Sequence, residues 1–146
     1  MKAFTAYQPY AYAIVAGLKG YETRPRRTNI RGRVAVHAGK GKPPSISLAA
    51  SLALPKSPVL HYGAVLGTVE IVDCLPVEEI IHTLTERERA LGDYSPGRFA
   101  WVLKNPVMFS APIPASGKQG WWNWDGDGSE PPEWEKFIKQ RFERRE

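Results

Sequence analysis

Cysteine is almost absent: the chain has one, Cys74, and only three histidines in 146 residues. An internal disulfide is thereby excluded, and no His/Cys spacing resembles a structural zinc site. With no local His or cationic cluster to activate its thiol, Cys74 reads as a small buried apolar residue. Long hydrophobic runs are also missing. The longest, near 11–16 and 48–54, fall far short of a bilayer span, and the first residues lack a charged-then-apolar signal pattern. The expectation is a soluble cytoplasmic protein. Acidic side chains are absent from the nineteen residues that hold Arg24, Arg26, Arg27, Arg31, Arg33, Lys40 and Lys42. One local surface should therefore be strongly positive, for phosphate contact or as a plain solvated loop. A net charge of +5 points the same way.

What is present fits one domain over residues 1–146 with a single core. Hydrophobic residues make up 42% and charged residues 24%, a balance that argues against disorder. Lys2 to Tyr7 suits a first strand, and Pro9 can open a helix over about 9 to 17, with Tyr10, Ile14 and Leu18 at helical spacing. Tyr21 to Arg24 reads as extended because Pro25 disfavours helix before it. Arg33 to His37 is a valine-rich strand, and Ser45 to Leu54 a helix capped by Ser45 or Ser47. In Ala64 to Val72, strict alternation would place Val65, Gly67, Val69 and Ile71 on one face. A helix is expected over 76–91, strands over 97–103 and 107–113, and a C-terminal amphipathic helix over about 132–145.

The residues with chemical interest cluster in Gln8-Pro9-Tyr10-Ala11, Gly17-Leu18-Lys19-x-x-Glu22-x-Arg24, Arg31-Gly32, His37-Ala38 and Gly97-Arg98-Phe99-Ala100-Trp101, followed by Pro112-Ile113-Pro114 and Gly117 to Trp121. In this order and spacing they resemble the ASCH domain family, a branch of the PUA-like fold, over about residues 4 to 124. The resemblance implies an α+β fold, a small mixed β-barrel with peripheral helices, whose cleft accommodates RNA or nucleoside ligands. Some small bacterial members hydrolyse N4-acetylcytidine, some have been assigned ribonuclease activity, and others are nucleic-acid-binding modules.

In the amidohydrolase members the resemblance implies a lysine, a threonine three positions on and a distant glutamate. Lys19 matches the lysine, whereas Glu22 stands where the threonine is expected. Glu22 as base for a water and Lys19 as stabiliser of an oxyanion is a chemically sound substitute, with Thr23 as an alternative hydroxyl. Glu70, alternating with apolar residues on a strand, is the candidate distant acid, or else an outward-facing charge; Glu79, Glu86 and Glu88 read as solvated helix residues. Tyr7, Tyr10 and Trp101 are candidates for base stacking, with core packing as the competing role. Arg24, Arg26 and Arg98 are candidates for phosphate or carbonyl contacts, and Arg24 also for orienting Glu22. His37 reads as a satisfied structural histidine, and Asp125-Gly126-Asp127-Gly128 lacks the spaced ligands of a calcium loop. The expected function is metal-independent, cofactor-free removal of the acyl group from N4-acylated cytosine nucleosides. The alternatives are a non-catalytic module for RNA or single-stranded DNA, or a ribonuclease using the same basic cleft.

Overall fold

The computed structural model describes residues 1–43, 45–56 and 58–131. The C-terminal helix expected over 132–145 lies outside the described residues. Lys2–Ala6 forms β1, Tyr10–Val15 the helix α1, Tyr21–Arg24 β2 and Gly32–Ala38 β3. Leu48–Leu52 forms α2, capped by the Ser47 hydroxyl accepting from Ala50 N as its sequence suggests. Ala64–Pro76 is β4, Glu86–Ala90 α3, Phe99–Pro114 β5 and Trp122–Asn123 β6.

The six strands lie in the order β2-β5-β4-β3-β1-β6. Only β1 and β3 pair in parallel; the other neighbours are antiparallel. The α+β class holds, but the sheet is not closed into the expected barrel. Its edge strands have four and two residues, too few to bring the two edges into one ladder.

Three further expectations are corrected. Residues 76–91 do not form one helix: 3-10 turns at Val77–Glu79 and Ile81–Thr83 precede the short α3. The Thr83 hydroxyl donates to Ile80 O, and Thr85 accepts from Glu88 N as the N-cap of α3, so a new helix starts where one continuous helix was expected. The two strands expected over 97–103 and 107–113 are one strand, carried past Pro106 by Asn105 at φ 50°. The single face expected for β4 is split, because bulges between Val65 and Gly67 and between Thr68 and Glu70 shift the register. Val65 packs with Ala35, Phe109 and Ile113, whereas Val69 and Ile71 pack with Phe4, Ile14 and Val36.

The core supports the cleft directly. Phe4 meets Trp101 and Trp121 edge-on at 5.7 and 5.6 Å, and the two indoles stack at 5.1 Å. Each such aromatic pair contributes about 0.5–1.5 kcal/mol beyond its area burial. This packing fixes β1, β5 and the segment before β6, and the site hangs from those strands. Cys74 is buried, in keeping with its apolar reading. Among the described residues no helix is long and apolar enough to cross a membrane.

Candidate functional site

The end of α1 delivers Lys19. Gly17, at φ +78°, turns the chain out of the helix, and Leu18 N and Lys19 N both donate to Ala13 O. Lys19 is only 3% exposed, and its Nζ donates to Tyr21 O at 2.6 Å while lying 3.7 Å from Glu22 Oε1. The glycine-bearing turn therefore brings together two residues that an unbroken strand would send to opposite faces. Glu22 Oε2 accepts from Arg24 Nε and Nη2 at 3.1 and 2.9 Å. Residues 22 and 24 share a face of β2, so this pairing follows from strand geometry. Arg24 Nη2 also donates to Thr5 O at 2.9 Å, and the guanidinium covers the Phe4 and Trp101 rings. A three-membered charge cluster, Lys19–Glu22–Arg24, is thus fixed on an aromatic base.

Burial pushes the Lys19 amine below its ordinary value, and the charges of Glu22 and Glu88 partly restore it. Glu88 is the residue the sequence reading missed. Both its oxygens accept from Gly20 N, at 3.0 and 2.6 Å, so α3 clamps the turn that carries Lys19. Burial pushes the Glu88 carboxyl up, against the pull of that hydrogen bond. Its signal is the pattern Thr85-x-x-Glu88, which marks a helix start rather than a mid-helix polar face.

The cluster lines one open cleft of about 1140 Å³, together with Tyr7, Tyr10, Thr23 and Arg98. Arg98 donates to Thr23 O and Asp93 O, which ties it to β2 and to the segment before β5. Thr23 Oγ1 accepts from Asp93 N at 3.2 Å, so its hydroxyl is bound into the β2 to β5 side of the site. Other candidates lie elsewhere. Glu70 is outside the cleft, paired with Arg33 at 3.2 Å on β3. Trp101 is in the core, and Arg26 is exposed beyond the end of β2 and does not line the cleft.

His37 closes the far wall. Its Nε2 lies 2.7 Å from Ala115 O, a pure acceptor, which assigns the proton to Nε2 and leaves Nδ1 to accept from the Thr5 hydroxyl at 3.1 Å. The Thr5 oxygen in turn accepts the Trp122 indole N–H at 3.1 Å. The neutral ring is fully satisfied, and burial holds its pKa below the usual histidine value. Among the described residues, no three His, Cys, Asp or Glu side chains gather as a metal-binding group.

Residues 5–113 match the ASCH domain. The chain belongs to the ASCH domain family. The match contains Lys19, Glu22, Arg24, His37 and Arg98, and it ends short of residues 115–120, which also line the cleft. The chain is 28% identical over 130 residues to activating signal cointegrator 1 of Homo sapiens, covering 83% of this chain and 22% of that protein. Its Mus musculus counterpart is 29% identical over 129 residues, covering 82% and 21%. The chain therefore spans about a fifth of the length of these relatives. The crystal structure of ASCH from Zymomonas mobilis superposes with a TM-score of 0.56 at 17% identity, over 97% of this chain and 93% of that one. At that identity the likeness bears on the ASCH fold alone.

Proposed function

We propose that the cleft binds single-stranded RNA, with one base reaching the Lys19–Glu22–Arg24 floor and the phosphates following the rim. The observation that carries this reading is the lining charge: Lys19, Arg24, Lys40, Arg98 and Lys118 against Glu22 and Asp93, in one open cleft of about 1140 Å³. That volume exceeds the roughly 300–1,000 Å³ that enclose a drug-sized ligand. An open groove with excess positive charge suits a polyanion better than a single neutral nucleoside. Family membership favours the same ligand class. Tyr7, half exposed on the lining, offers a ring for stacking, and Tyr10 and Arg98 flank the floor. Glu22 is held by Arg24 and Lys19, so it presents a fixed acceptor edge for an amino or ring N–H.

Fluorescence anisotropy with a short labelled single-stranded RNA tests this. For three or four neutralised phosphates, raising salt from 50 to 200 mM should weaken binding about 20- to 50-fold, from a slope near −0.7 per phosphate. Salt-insensitive binding, or none at 50 mM, overturns the reading. Tighter binding of the matching DNA would move the ligand class from RNA to single-stranded DNA.

A second reading, hydrolysis of N4-acylated cytosine nucleosides, is favoured by one observation, the buried Lys19 amine 3.7 Å from Glu22. Glu22 would take a proton from water as the oxygen bonds to the acyl carbon, and Lys19 would stabilise the oxyanion. Return of that proton to the exocyclic nitrogen breaks the C–N bond and releases cytidine and the carboxylic acid. Against it, both Glu22 oxygens already face cationic donors, so an attacking water would have to compete with Arg24 and Lys19 for a place at the carboxylate. Cytidine release from N4-acetylcytidine, lost in Lys19→Ala and Glu22→Gln, would establish this activity; no release would remove it.

A further inference from the structure

The wall formed by His37 has a composition that the floor does not explain. All acidic residues are missing from two stretches of the sequence, 24–69 and 94–124. Each stretch sends one lysine-bearing, glycine-flanked loop to the cleft: Gly39-Lys40-Gly41 after β3 and Gly117-Lys118 after β5. Both loops pack on the same side chain. A Cβ at Gly39 would lie 3.1 Å from Thr5 Cγ2, and one at Gly117 would lie 2.7 Å from Thr5 Oγ1 and 2.5 Å from the His37 ring. Residue 117 therefore has to be glycine for its loop to reach the wall. The Lys40 stem lies over Gly63, its Cε 2.7 Å from where a Cβ would be. Lys40 and His37 line the same cleft. Thr5 links the two ends, since its carbonyl accepts from Arg24 of the floor.

We propose that the Lys40 and Lys118 loops form a phosphate seat at the Thr5–His37 wall, so that the ligand is a nucleoside phosphate whose base lies on the Lys19–Glu22–Arg24 floor. The placement of the base rests on the single-stranded RNA reading; the seat for the phosphate does not. Two lysines line the cleft from loops that pack on one wall, no carboxylate comes from either stretch, and the neutral, satisfied His37 adds no competing acceptor at the wall surface. A terminal 5′-phosphate and an internal phosphodiester share this chemistry.

The test is amide NMR on the full chain at low ionic strength, with sodium chloride as the control salt. Inorganic phosphate should shift the amides of Gly39, Gly41 and Gly117, and cytidine monophosphate should bind at least about tenfold more tightly than cytidine. Lys40→Ala combined with Lys118→Ala should abolish both effects, whereas Lys56→Ala, at an exposed position outside the cleft, should leave them intact. A 5′-phosphorylated RNA binding better than its 5′-hydroxyl twin would assign the seat to the terminal phosphate. Equal binding, with loss only when an internal linkage is a neutral methylphosphonate, would assign it to the phosphodiester. If phosphate shifts these amides but RNA does not bind, the seat stands and the RNA reading falls. If RNA binds with salt dependence but phosphate shifts none of these amides, or the double variant behaves like Lys56→Ala, the seat is overturned and the RNA reading survives.

Discussion

Two glutamates of this sheet face an arginine at nearly the same distance and differ in almost everything else. Glu22 meets Arg24 at 2.9 Å with its side chain 9% exposed, while Glu70 meets Arg33 at 3.2 Å with its side chain 36% exposed. The first pair is joined by a buried lysine and lies in the cleft; the second lies outside it. Distance alone does not mark a site. Burial raises the electrostatic stakes, because a desolvated charge must be matched by fixed partners, whereas a pair at the surface is screened by water and salt.

Glu22→Gln breaks the comparison most sharply. It leaves Lys19 and Arg24 without their shared counter-charge and should lower stability by about 3–5 kcal/mol, read by denaturant unfolding. Lys19 should then titrate still further below its ordinary value, because Glu22 is the largest influence holding its pKa up. Glu88→Ala should cost about 1–3 kcal/mol, since the Gly20 amide loses its acceptor, and should weaken RNA binding by loosening the Lys19 turn. Glu88→Gln keeps an acceptor and should recover most of both.

His37 supplies a pH-dependent prediction of smaller size. Its folded pKa is depressed, so the unfolded state binds the proton more readily. Its contribution is fully present above the unfolded value of about 6.5 and is lost as pH falls through the folded value. The NMR titration of the His37 ring should therefore have its midpoint below about 6.5. Glu70→Gln is the smallest effect, about 1 kcal/mol or less, with RNA binding unchanged.

Much of this contrast was legible in the sequence, and the reasons for the rest are specific. The Lys19–Glu22–Arg24 spacing at a glycine turn was readable because i,i+2 strand geometry and a family pattern coincide there. Glu70 was a natural choice for the distant acid because alternation along β4 identifies a strand but not which end of the sheet faces a cleft. The bulges that reset β4 leave no mark that a period-2 reading detects. Glu88 was hidden inside an apparently continuous helical pattern, although Thr85 three residues earlier signalled a new helix start. Gly117 to Trp121 stood out in the sequence as part of the family pattern, but the place of the 115–120 loop in the cleft did not, because it depends on the approach of Gly117 to Thr5 and His37, which are distant in sequence.

The central claim, that the buried pair and not the exposed one marks the ligand site, is tested most directly by mapping amide chemical-shift changes during titration with a short single-stranded RNA. The account predicts shifts at Thr5, Gly20 to Arg24 and Arg98, with Arg33, Glu70 and Lys104 unmoved. Shifts concentrated around Arg33 and Glu70, with the cleft silent, would contradict it.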